Sequence, residues 1–281
     1  SVDADVDGAE AAGITPYRVT KANPNRYEQI LEGFAEETTG ASARLAGASR
    51  YARLHATVET RHEKALRDVT AGVMAPILVG FVTWLLRCSR EQDLDCLYFT
   101  SRDGYHLLPI ARGLRSVLDV DCDVEYLRVS RAVLAAASTD PEKIESSWSN
   151  YEKPSGKELL ARMGLKYSDV QEYISSEKEK REILSNPITS RGKAIIKNII
   201  RSIYKEGRYV EKRNKVINYL KQKNISEDSS FGLVDIGWKG TVHMFLNEIL
   251  IEEGVLSNPV KGFFFGLNEE QQPYAGYRQS Y

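Results

Sequence analysis

The stretch Cys96-Leu-Tyr-Phe-Thr-Ser-Arg-Asp-Gly-Tyr-His-Leu-Leu-Pro-Ile110 constrains the fold of this chain more than any other. A short apolar run stops abruptly at Ser101-Arg102-Asp103-Gly104, and an amphipathic segment starts at once, the pattern of strand, tight turn and helix. The pattern recurs. Val124-Glu-Tyr-Leu-Arg-Val129 reads as a second strand, ending in Ser130-Arg131 before a short helix over 132–137. Phe231-Gly-Leu-Val-Asp-Ile-Gly-Trp-Lys-Gly-Thr-Val-His-Met-Phe-Leu246 reads as strand, Gly-rich turn and helix, and Val260–Gly266 as a last strand. Strand, helix, strand at this spacing is a βαβ unit with parallel strands. The expected fold is therefore α/β: a mostly parallel sheet with flanking helices, a Rossmann-like core, and a polar helical insertion at about 140–228.

The chain has 281 residues, 42% hydrophobic and 27% charged, enough for one large domain or two small ones. Its 38 basic and 39 acidic residues leave a net charge of -1, which argues against a dedicated nucleic-acid binder. Cys88, Cys96 and Cys122 form no CxxC pair and no zinc spacing, so free thiols and a reducing compartment are expected. The uncharged run Val73–Leu86 covers roughly 14 residues, short of the ~20 that span a bilayer, and contains Pro76 and Gly80. A buried core helix is expected there, and no transmembrane segment. Upstream, small residues suggest a short helix ending at Gly13. Residues 26–67 have helical periodicity, with Tyr27, Ile30, Leu31 and Phe34 on one face and Gly40 and Gly47 weakening the middle. Arg44, Arg50, Arg53, His55, Arg61 and His62 make that region basic, as a solvated face or the wall of an anionic pocket.

Three strand ends carry the candidate chemistry: Ser101/Arg102/Asp103/Gly104, Ser130/Arg131, and Asp235 with Gly237/Trp238/Lys239/Gly240/Thr241. In a parallel sheet all three share one edge, the edge where open α/β sheets bind ligands. Arginine grips phosphate oxygens bidentately, lysine adds a point charge, and a helix amino terminus offers free N–H groups. Glycines let backbone approach an anion closely. The carboxylates suit a metal ion, a sugar hydroxyl or a general base. Together these types point to a phosphorylated sugar. Simpler readings stand beside this one: Ser101 and Asp103 as helix caps, Arg102 bridged to Asp235 as a structural pair, His106 and His243 as helix-face or core residues. Trp238 either covers a sugar face or wedges its loop. No GxSxG, HExxH or GxGxxG motif is present, and Lys239-Gly-Thr241 lacks the preceding GxxxxG spacing of a P-loop.

Tyr98-Phe-Thr-Ser-Arg-Asp-Gly104 with Ser130-Arg131, together with Val234-Asp-Ile-Gly-Trp-Lys-Gly240, resembles the carboxyl-terminal domain of bacterial dual-domain ribofuranosyltransferases, in which a haloacid-dehalogenase-type phosphatase precedes a glycan phosphoribosyltransferase. Asp3-Ala-Asp-Val-Asp-Gly-Ala-Glu-Ala-Ala-Gly-Ile14 resembles the tail of the phosphatase, with Asp5 at the place of its last metal-site carboxylate, and no DxDx[TV] nucleophile motif is present. The resemblance implies a dehalogenase remnant over 1–25, a helical linker over 26–68 and a transferase domain over 69–281. It implies transfer of 5-phosphoribose from phosphoribosyl diphosphate, with Mg²⁺ accompanying the donor, to a sugar hydroxyl of a lipid-linked surface polysaccharide. A phosphatase domain in cis or trans would act next, in the cytoplasm or at the inner face of the membrane. On this expectation Asp103 is the base and Asp235 meets ribose hydroxyls or Mg²⁺, with the two roles exchangeable. Ser101, Arg102, Gly104, Ser130, Arg131 and the Gly237–Thr241 turn, Trp238 included, bind the donor. The rival expectations are a dehalogenase-type sugar phosphatase component and a non-catalytic scaffold of glycan assembly.

Overall fold

The computed structural model describes residues 2–16, 23–138, 140, 144, 148, 153–268 and 274–281. The chain forms two compact units, Ser1–Phe81 and Val82–Tyr281. The division falls inside a helix, later than the 68/69 boundary drawn from the sequence.

The first unit is helical: α1 (Val2–Ala11), α2 (Arg26–Gly33), α3 (Ala41–His55) and α4 (Arg61–Val69), followed by a π-helical turn, Thr70–Met74, and the start of α5 (Ala75–Glu91). α1 closes near Gly13, as expected; part of the 1–25 segment lies outside the described residues. The helical stretch over 26–67 is three helices. Gly40, left-handed at φ 80, opens α3, whereas Gly47 stays within it. Asn25 and Thr60 each form a capping box, with Glu28 and Glu63 respectively, satisfying amide groups that a helix start leaves open. The Arg53 guanidinium pairs with the Glu28 carboxylate at 2.6 and 2.9 Å, both side chains buried. Arg53 therefore leaves the solvated basic face, while Arg44, His55, Arg61 and His62 remain exposed. A Cβ on Gly72 would stand 2.6 Å from the Cβ of Tyr27, so glycine lets the π turn close on α2.

The α4–π–α5 helix is continuous over Arg61–Glu91, 31 residues with an 18-residue window of mean hydropathy 2.0, long and apolar enough to cross a membrane. The uncharged run reaches back to Val69, further than the Val73 start drawn above. Only 33% of that window is buried. Met74 and Ile77 are exposed; apart from Gly72, full burial begins at Phe81, so the expected core helix is its carboxyl half alone.

The second unit is an α/β sandwich around a five-stranded, all-parallel sheet. Its strands are β1 (Cys96–Thr100), β2 (Asp123–Leu127), β3 (Phe231–Trp238), β4 (Lys261–Leu267) and β5 (Arg278–Ser280), in the order β2-β1-β3-β4-β5. Side chains alternate between faces along each strand. On one face Leu97, Gly232 and Phe263 meet, and Trp84 of α5 packs edge-on against Phe263 at 6.0 Å. α6 (Asp103–Val117) covers β1 and β2. On the other face Tyr98, Leu127, Phe231 and Leu233 join a core with α7 (Arg131–Ser138), α11 (Arg208–Gln222) and α12 (Thr241–Glu252). The helical insertion holds α8 (Gly156–Arg162), α9 (Glu177–Leu184) and α10 (Ser190–Lys205), and has its own core of Leu159, Leu160, Ile183, Ile196, Ile200 and Tyr209. Much of 139–152 lies outside the described residues. The three cysteines are free thiols, and burial pushes that of Cys96 up to about 12.

Candidate functional site

The strand order reverses direction between β1 and β3. In doubly wound sheets the crevice outside the carboxyl ends of such a pair is the ligand site. β1 ends in Ser101-Arg102-Asp103, β3 in Asp235–Trp238, and β2, on the far side of β1, leads to Ser130-Arg131. The three predicted strand ends thus share one edge.

At the end of β1, the buried Thr100 hydroxyl donates to the Val234 carbonyl at 3.1 Å, tying β1 to β3. Ser101 Oγ donates to the Leu127 carbonyl at 3.3 Å, tying β1 to β2. It does not cap α6: the cap residue is Arg102, whose side chain makes no capping bond. Arg102 has φ 77 and ψ -79, a conformation that side chains other than glycine's rarely adopt. Its N–H donates to the Tyr126 hydroxyl at 3.0 Å, which helps hold it there. The guanidinium is 89% exposed, with Nε 3.9 Å from Asp103 Oδ1. Arg102 forms no bridge to Asp235 among the described residues. Gly104 is obligatory, since a Cβ there would lie 2.8 Å from the Phe99 carbonyl carbon. At the end of β2, Ser130 Oγ accepts from the Val133 N–H at 3.4 Å, an ordinary helix cap, and Arg131 projects into solvent.

Asp235 is half-buried, and burial is the largest influence on it, raising its pKa. The negative charge of Asp103 raises it further; the N–H groups of Gly237 and Ile236 and the Thr100 hydroxyl act in the opposite direction. The Thr100 proton serves either Asp235 or the Val234 carbonyl, since a hydroxyl has one proton to give. Beyond Asp235, Gly237 (φ 111), Trp238 (φ 79) and Gly240 (φ 62) carry the chain through a sharp turn into α12, which begins at Thr241. Lys239 is half-buried within that turn.

Beneath the turn lies a network that the sequence reading missed. Arg278 of β5 donates from Nη2 to the Gly240 carbonyl at 3.3 Å and from Nε to His243 Nδ1 at 3.2 Å. Because arginine can only donate, Nδ1 is the acceptor, and the proton of the neutral ring sits on Nε2, donated to the Val260 carbonyl at 2.7 Å. Burial, then the charge of Arg278, hold His243 down to about 4, while the Val260 bond opposes them. His243 is a core residue, and His106 is exposed beside Tyr105. Only Gly240, too small to clash with the guanidinium 3.0 Å from where its Cβ would stand, hinted at the network.

A cleft of ≈ 330 Å³ lies at the opposite, amino-terminal edge, lined by Asp95, Cys96, Asp123, Glu125, Asn224 and Ser230 among others. Three of its acidic groups have partners: Glu125 meets Lys223 at 2.6 Å, Asp123 meets Arg115 at 2.8 Å, and Asp95 accepts the Ser230 N–H at 3.0 Å. None of the candidate residues lines it, and strand order together with chemistry favours the carboxyl edge. No cluster of three or more metal-ligating side chains occurs among the described residues. The fold is doubly wound α/β, and side chains of both charges stand at its switch point. No family model matches the chain, and no curated protein matches it.

Proposed function

We propose that the carboxyl edge transfers 5-phosphoribose from phosphoribosyl diphosphate to a sugar hydroxyl of a bacterial surface glycan. The observation that carries this reading is the pair Asp235 and Asp103, coupled electrostatically at the switch point and flanked by Arg102 and Lys239. The acceptor oxygen attacks C1 of the donor, the C1–O bond to diphosphate breaks, and the hydroxyl proton passes to a carboxylate. Asp235 is the better base of the two. Burial raises its proton affinity toward the operating range, and the β3 backbone holds it fixed. Asp103, partly exposed beside Arg102, meets the ribose hydroxyls. Arg102, Lys239 and the turn amides receive the charge that grows on the departing diphosphate, where it lowers the barrier. Arg131, with no ion pair among the described residues, reaches the same edge from β2. Asp103 would also be the carboxylate for a Mg²⁺ that arrives on the diphosphate; the ion would supply further charge neutralisation there. A lipid-linked acceptor and a phosphatase acting next, at the inner face of the membrane, complete the reading.

Incubation with phosphoribosyl diphosphate and a panel of glycan acceptors, read by mass, tests it. The expected product is heavier by one phosphoribosyl unit, with release of diphosphate. Phosphate release without transfer would point instead to a phosphatase, and no calorimetric binding of the donor would point to a scaffold.

A further inference from the structure

Trp238 combines two costly features. Its φ of 79 is a backbone state that bulky residues avoid, and its side chain is 71% exposed. The strand enforces the first. Gly237 is pinched so tightly that a Cβ would stand 2.0 Å from the Gly266 carbonyl oxygen, and the Trp238 carbonyl accepts the Asn268 N–H at 2.7 Å. The indole makes no ring contact or hydrogen bond among the described residues. A second exposed aromatic, Tyr105, stands in the first turn of α6, edge-on to Tyr126 at 6.3 Å. Tyr105 follows the end of β1 and Trp238 ends β3, neighbouring strands of the sheet.

We propose that Trp238 is the stacking platform for the acceptor, a pyranose whose C–H face lies on the indole, rather than a contact to the donor. This deepens the transferase reading and rests on it. An aromatic face is electron-rich and suits C–H groups, whereas a diphosphate needs the cations and amides nearby. Trp238 ends the strand that carries Asp235, so both stand at the carboxyl edge where the proposed base is held.

The chain has three tryptophans; Trp148 is buried and Trp84 is packed against Phe263 and Tyr281, so Trp238 alone emits from an exposed site. Methyl β-galactopyranoside, methyl α-mannopyranoside and N-acetylglucosamine are titrated while emission is followed, with Trp238→Phe as the silent control. At least one is expected to shift the emission of the wild-type protein. With a competent acceptor, Trp238→Ala is expected to raise the acceptor KM roughly tenfold and leave the donor KM unchanged, with Trp238→Phe recovering most of the loss. A spectral response to phosphoribosyl diphosphate alone, no response to any saccharide up to its solubility, or an unchanged acceptor KM overturns the assignment. Failure of the donor to bind in calorimetry would sink the transferase reading instead, while the saccharide titration would still judge the platform.

Discussion

The charge of Asp103 is felt at Asp235, where it adds to burial in favouring the protonated carboxyl. Two acids on neighbouring strand ends thus share one electrostatic environment, and their substitution should not be equivalent. Asp235→Asn is expected to lower turnover about a hundred- to ten-thousand-fold. Asp103→Asn removes a like charge, so the acidic limb of the kcat/KM profile should move to lower pH. A limb that stays in place, or moves up, would contradict the coupling.

The same carboxyl has a signature in stability. Its proton affinity is higher in the folded protein than in the unfolded chain. It therefore contributes stability at low pH that is lost as pH rises through the folded value. Asp235→Asn should raise the melting temperature at neutral pH, by up to about 4 °C, with the gain shrinking in acid. Thermal melts at two pH values suffice to check this.

His243 has the opposite sign. Held down to about 4 in the folded state, it contributes stability that is present above the ordinary histidine value and lost as pH falls toward 4. The loss from this one group is on the order of 3 kcal/mol across that window. Denaturant titrations of wild type and His243→Gln should diverge at neutral pH and converge in acid.

Tyr126→Phe removes the acceptor for the Arg102 N–H without disturbing the packing of the ring on Tyr105. Donor kcat/KM is expected to fall about fivefold while the melting temperature changes little. Equal activity would mean that Arg102 holds its conformation without this bond.

Gly237→Ala forces a methyl group against the Gly266 carbonyl at a φ of 111. A loss of about 3 kcal/mol or more is expected, read as a lower denaturant midpoint.

Much of this architecture was legible in the sequence. The runs 96–100, 124–129 and 231–236 stop at polar residues or glycine, and the βαβ spacing set them parallel, which sends Arg102, Arg131 and Asp235 to one edge. Three things were not legible. β5 is Arg278-Gln-Ser280, too short and too polar to show alternation. Arg53 finds Glu28 across 25 residues of chain, a partner that only tertiary packing reveals. The reach of the long helix was masked because an uncharged run carries no mark of where burial begins. The phosphatase remnant and the transferase chemistry rest on short motifs, and those are decided by assay.

Phe99 pairs with Val234, and that register brings the two acids together. Everything between them in the chain, including the helical insertion, is a loop that must close first. A fragment ending before β3 would hold Arg102, Asp103 and Arg131 yet lack Asp235. The proposed activity is therefore indivisible along the sequence. It should reappear on refolding only with the β1–β3 pairing, after local helices have formed, so that regained turnover reports a long-range contact rather than helix content.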